Sequence, residues 1–153
     1  MRDVVGKRFP TARGRALSGE SLALPDDLAG SAAVLLVAYR RATQTDIDRW
    51  TDRLSARLPQ LPVYEVPVIP ALVWRPLAGW IDSGMRGGVP QAAWSRVVTL
   101  YGEGGIVRDF LGDEGGLNAI VVLLDERGVV RWCHRGGYDE KTGGELVALC
   151  SSL

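Results

Sequence analysis

The sequence has little of the residue types on which most metal sites and nucleophilic enzymes depend. Its 153 residues include two cysteines, Cys133 and Cys150, and one histidine, His134. The two cysteines are too few for a disulfide framework and too far apart for a CxxC redox pair. One histidine with two separated cysteines does not give the usual ligand spacing of a metal site. We therefore predict free, buried cysteines, no bound metal and no cofactor.

The sequence also lacks an excess of charge and a long apolar run. Eighteen Lys and Arg residues balance eighteen Asp and Glu residues, so no net field attracts nucleic acid or an anionic membrane. The longest apolar stretch, 32–39, is far shorter than the roughly 20 residues of a membrane span. No apolar signal-peptide core occurs near the N-terminus. We expect one soluble, cytoplasmic domain, with 1–31 as an N-terminal extension and 32–150 as its core.

Strand and helix patterns alternate along the chain. The apolar run 33–39 predicts a strand buried on both faces, and Ile47, Trp50, Leu54 and Leu58 then recur at helical spacing. The other predicted elements are a strand over 62–69, a helix from Trp74 to Ile81, a strand over 97–101, a helical turn over 106–111, an antiparallel hairpin over 119–132 and a helix from Lys141. A β-α-β half followed by a β-β-α half predicts a thioredoxin-like α/β fold, with helices flanking a central mixed sheet and an added N-terminal β extension.

Several short motifs occur in a distinctive order. They are FP at Phe9, GESLALPDDLAG before the first core strand, AYRR followed by QTDIDRW, and LLDERGVVRW in the hairpin. Together they resemble the thioredoxin-like assembly factors of the mitochondrial ATP synthase membrane sector, which share features with the peroxiredoxin-like branch of the fold. The resemblance spans 9–149 and implies a role in binding or assembling a partner protein. The richness in alanine, glycine and arginine is more typical of a bacterial protein.

The bend between the first core strand and the first long helix is where a thioredoxin-like domain carries its redox cysteine. Here the bend reads AYRRATQTDIDRW, over 38–50, and contains no cysteine. A thiolate at a helix N-terminus beside an arginine is the group that attacks peroxide. Peroxidase or disulfide-exchange chemistry by the usual route is therefore not expected.

The same bend offers groups that suit binding. A strand end, a helix N-terminus, Arg40 and Arg41 would together suit a carboxylate, a phosphate or an acidic side chain. Alternatively, one arginine packs on Trp50 while the other is solvated, and Thr43 or Thr45 caps the helix. The segment 74–94 is either a partner-binding surface or an ordinary packed insertion. The candidate binding residues are Tyr39, Arg40, Arg41, Thr43, Gln44, Asp46, Trp74 and Trp80.

Three functions follow from this pattern, and no catalytic residue is assigned. The first is a non-redox binding or assembly protein with a protein partner. The second is a small-molecule enzyme, for example a cyclase, isomerase or lyase, that reuses the vacated pocket with Arg40, Arg41, Gln44 and either Asp46 or His134. The third is an atypical peroxiredoxin-like oxidoreductase that depends on Cys133. A homodimer is compatible with each of them.

Overall fold

Four strands form a central sheet in the order β4-β3-β6-β7. A computed structural model describes residues 3–28, 30–40, 43–68, 96–100, 103–112 and 118–152. Strand β3 (Ala33–Ala38) is buried at every position, as its apolar run predicted. It pairs in parallel with β4 (Val63–Pro67) and antiparallel with β6 (Ile120–Leu124), and β6 pairs antiparallel with β7 (Val130–His134). The sheet is therefore mixed, and the predicted hairpin of β6 and β7 is confirmed.

A second, smaller sheet has the order β2-β1-β5. The predicted N-terminal extension forms an antiparallel hairpin of β1 (Ala12–Ala16) and β2 (Ser21–Leu24). A short 3-10 turn, Asp26–Leu28, follows β2. Strand β5 (Val98–Thr99) pairs with β1 and continues toward β4 through parallel bridges on either side of it. The extension is thus built onto the edge of the core.

Three α-helices occur in the described residues, whereas the helix predicted from Trp74 to Ile81 lies outside them. Helix α1 (Gln44–Arg57) joins β3 to β4, α2 (Gly104–Leu111) follows β5, and α3 (Glu140–Ser151) follows β7. The β3-α1-β4 and β6-β7-α3 halves confirm the α/β fold class. Among the helices of the described residues, none is long and apolar enough to cross a bilayer.

The core consists of two apolar clusters on opposite faces of the central sheet. Neighbouring strand residues point to opposite faces, so Leu35 belongs to the first cluster and Leu36 to the second. The first cluster lies on the side of the N-terminal hairpin and includes Val107 of α2. The second lies beneath α1 and α3 and includes Trp50, which is fully buried, and Leu146. The predicted apolar stripe of α1 is therefore confirmed.

The segment before β1 closes one edge of β7. The Gly6 N–H donates to the Val130 carbonyl at 2.7 Å, and the Val130 N–H donates to the Lys7 carbonyl at 2.9 Å. Val4 and Phe9, which flank this pairing, are buried in the first cluster. The first described residues of the chain are thus fixed to the last strand of the sheet.

Candidate functional site

The predicted site lies where four chain segments meet at one end of the central sheet. The end of β3 provides 39–40, the start of α1 provides 43–46, the start of β6 provides 118–119, and the loop between β7 and α3 provides 135–139. We call this region the junction. The register of β3 against β6, which pairs Val37 with Ile120, places the end of β3 beside the start of β6.

Asp46 links three of the four segments of the junction. Its carboxylate is buried, with 8% of the residue exposed. Oδ2 accepts a hydrogen bond from the Ala119 N–H at 2.9 Å, and Oδ1 accepts one from the Tyr138 N–H at 2.8 Å. We call this arrangement the Asp46 bridge. Because both oxygens bind backbone amides, the geometry gives Asp46 a structural role and does not present it to a ligand.

Tyr138 joins the loop of the junction to the side of α1. Its ring meets that of Trp50 edge to face, with centroids 5.0 Å apart. Its hydroxyl accepts a hydrogen bond from Arg53 Nη1 at 3.1 Å, and the same guanidinium nitrogen binds Glu140 at the start of α3. Hydrogen bonds to Tyr138 and then to Glu140 raise the pKa of Arg53. The loop is therefore held to α1 by its backbone, its ring and its hydroxyl.

Thr43 occupies the N-cap position of α1 without making the predicted capping hydrogen bond. Its φ of −69° and ψ of −14° are helical, whereas a capping side chain needs an extended N-cap backbone to reach the N–H groups of the first turn. Thr43 is 1% exposed, and its hydroxyl has no hydrogen-bond partner in the described part of the chain. The expectation that Thr43 caps this helix by its side chain was therefore wrong. Thr45, the other candidate, lies exposed inside the helix.

Gln44 points along the surface of α1 and toward β4. Its Nε2 donates to Asp48 Oδ1 at 2.9 Å. It also lies near Glu65 of β4, a half-buried carboxyl that the list of candidate residues did not include. Burial, and then the charge of Asp48, raise the pKa of Glu65, while the nearby amide of Gln44 partly opposes this. The signal in the sequence was one charged residue within the otherwise apolar and aromatic strand β4.

Tyr39 and Arg40, at the end of β3, face different surroundings. Arg40 is exposed, in agreement with the solvated arginine of the second interpretation. The Tyr39 hydroxyl donates to the Gly112 carbonyl at 2.8 Å, beyond the last residue of α2. The Arg108 guanidinium lies 4.4 Å from the centroid of the Tyr39 ring. Tyr39 is therefore an anchor for α2 within the junction.

Arg135 is a second residue of the junction that the list of candidate binding residues did not include. It is only 9% exposed, and its Nη2 donates to the Leu111 carbonyl at 2.8 Å. The last carbonyls of a helix have no partner inside the helix, so Arg135 satisfies one of those at the end of α2. The remaining candidates Arg41, Trp74 and Trp80, with the whole segment 74–94, lie outside the described residues.

Solved structures of similar shape cover almost the whole chain. The thioredoxin domain of a thiol-disulfide oxidoreductase from Bacteroides vulgatus matches with a TM-score of 0.68 at 15% identity, over 97% of this chain and 99% of that one. The chain has a thioredoxin-like fold. BsSco, of the Sco family of cytochrome c oxidase assembly proteins, matches with a TM-score of 0.64 at 10% identity, over 99% of this chain and 96% of that one. A thiol peroxidase from Chromobacterium violaceum matches with a TM-score of 0.61 at 13% identity, over 99% of this chain and 90% of that one. No protein-family profile and no curated sequence matches the chain.

The two cysteines of this thioredoxin-like domain lie on opposite faces of its central sheet. Cys133 of β7 packs against the first cluster, and Cys150 of α3 packs against the second. Both are free, as predicted, but the prediction that they are buried was wrong, because each is partly exposed. Burial raises the pKa of the Cys133 thiol, although the nearby Arg135 opposes this, and burial raises the pKa of Cys150 to about 11. Neither thiol is held in the thiolate form that nucleophilic chemistry needs.

His134 faces away from the neighbouring cysteine. Its ring stacks on Trp132 at a centroid distance of 5.7 Å, and it meets Trp50 edge to face at 5.9 Å. Its Nε2 lies 2.8 Å from the Gly137 carbonyl. Since Cys133 belongs to the opposite face, the two residues form no dyad, as strand alternation predicts. Over the described residues, no group of three or more His, Cys, Asp and Glu side chains is arranged to hold a metal ion.

Proposed function

We propose that the chain is a non-redox thioredoxin-like binding protein that assists the assembly of a partner polypeptide, using the junction as its binding surface. One observation carries the proposal. The segment 39–46 contains no cysteine, and the two thiols of the chain, both partly exposed, pack against core clusters on opposite faces of the sheet.

The chemistry of the two thiols supports a non-redox role. Thiol exchange and peroxide reduction both begin with attack by a thiolate. Burial raises the pKa of both thiols, so little thiolate forms at neutral pH. Because the two cysteines lie on opposite faces of the sheet, neither can form a disulfide with the other within one chain, so neither can act as a resolving cysteine.

The polar groups of the junction favour a binding surface over a small-molecule active site. An enzyme of the second class would need Arg40, Gln44 and Asp46 to converge on a substrate. Instead, Arg40 is exposed, Gln44 binds Asp48 along the surface of α1, and Asp46 binds two backbone amides. The Asp46 bridge fixes the backbone of the junction before any partner arrives, which lowers the entropy cost of association.

The class of partner is inferred from two likenesses. The sequence motifs resemble assembly factors of the ATP synthase membrane sector, and the fold is similar to that of BsSco, whose family is described as one of assembly proteins. Subunits of the ATP synthase membrane sector are therefore the first polypeptides to test. An exposed arginine at the edge of the junction suits an acidic or carboxylate-bearing segment of such a partner.

The binding part of the proposal is tested by site-specific photo-crosslinking. A photoreactive residue replaces Thr45, which like Arg40 is exposed in the junction, and in a matched control it replaces Glu126, which is exposed in the turn at the far end of β6. We expect a discrete adduct with a membrane-sector subunit at position 45 and none at position 126. The subunit is then purified, and Arg40→Glu is expected to weaken its binding at least tenfold. Equal crosslinking at both positions, or unchanged affinity of Arg40→Glu, would contradict the proposal.

The non-redox part is tested separately with a variant that carries Cys133→Ala and Cys150→Ala. Insulin disulfide reduction and peroxide consumption are measured for this variant and for the wild-type chain. We expect no turnover by the wild-type chain above that of the variant, and equal partner binding by both. Turnover that disappears with Cys133→Ala would instead establish the peroxiredoxin-like alternative.

A further inference from the structure

We draw no further inference here: the strongest candidate, the side-chain cluster of Gln44, Asp48 and Glu65 beside the first turn of α1, rests on the raised pKa of Glu65 and on two acidic side chains, with no second observation in the described part of the chain that points to a ligand.

Discussion

Replacing Asp46 by alanine removes the Asp46 bridge and leaves two backbone N–H groups without their acceptor. Ala119 is fully buried, so water cannot replace the lost partner, at a cost of about 1–3 kcal/mol. Tyr138 is half-buried, so its N–H can turn to solvent and the loss there is about 1 kcal/mol. We therefore expect Asp46→Ala to lower the free energy of unfolding by about 2–4 kcal/mol.

Urea denaturation followed by circular dichroism measures this loss, and amide hydrogen exchange locates it. Exchange at Ala119 should accelerate more than exchange in the middle of β6, because the variant frees the start of that strand first. The matched control is Asp52→Ala, an exposed carboxylate on the same helix, which should change stability by less than about 0.5 kcal/mol. A loss in Asp46→Ala no larger than that of the control would refute the reasoning.

Three further predictions concern single groups. The folded state raises the pKa of Glu65, so the free energy of unfolding of the wild-type chain is highest below the unfolded-state pKa of this residue and falls as pH rises through its folded-state pKa. Glu65→Gln should remove this fall, so the variant should be more stable than the wild-type chain near pH 7. Urea midpoints measured across pH test this. A Cβ at Gly143 would lie 2.9 Å from the Tyr138 ring, while one at Gly105 would meet nothing within 4 Å. In thermal melts, Gly143→Ala should therefore be less stable than the wild-type chain, and Gly105→Ala should be more stable by up to about 1 kcal/mol. Burial raises the pKa of Cys150 to about 11, so little of its thiol is ionised at neutral pH. In the variant Cys133→Ala, a thiol reagent should therefore modify Cys150 more than about tenfold more slowly in the folded chain than in urea.

The elements with a clear hydrophobic period were predictable from the sequence. The apolar run of β3 and the stripe of Ile47, Trp50 and Leu54 on α1 define a buried strand followed by an amphipathic helix, and both occur as predicted. Element ends were less predictable. Of the strand predicted over 97–101, residues 97–100 are described, and these form a ladder only at Val98–Thr99 because Val97 and Leu100 make single bridges to β4.

The contacts of the candidate residues were not predictable from the sequence. The sequence pointed to Asp46, yet its partners are main-chain N–H groups of Ala119 and Tyr138, 73 and 92 positions away. Every residue except proline carries such a group, so no side-chain pattern marks the two that Asp46 binds. The failure at Thr43 has a similar origin, since capping depends on backbone angles that the residue type alone does not set.

The pairing of the segment before β1 with β7 sets an order of events during synthesis. Gly6 and Lys7 hydrogen bond to Val130, which lies more than a hundred positions later in the sequence. The ribosome therefore makes Gly6 and Lys7 long before it makes their partner. Until β7 has emerged, Val4 and Phe9 lack part of the surface that buries them, and the outer edge of β6 is unpaired. Exposed apolar residues and open strand edges promote association between chains. We therefore expect a chain that stops after β6 to bind chaperones or to aggregate, and we expect the completed hairpin to close both the first cluster and the edge of β6.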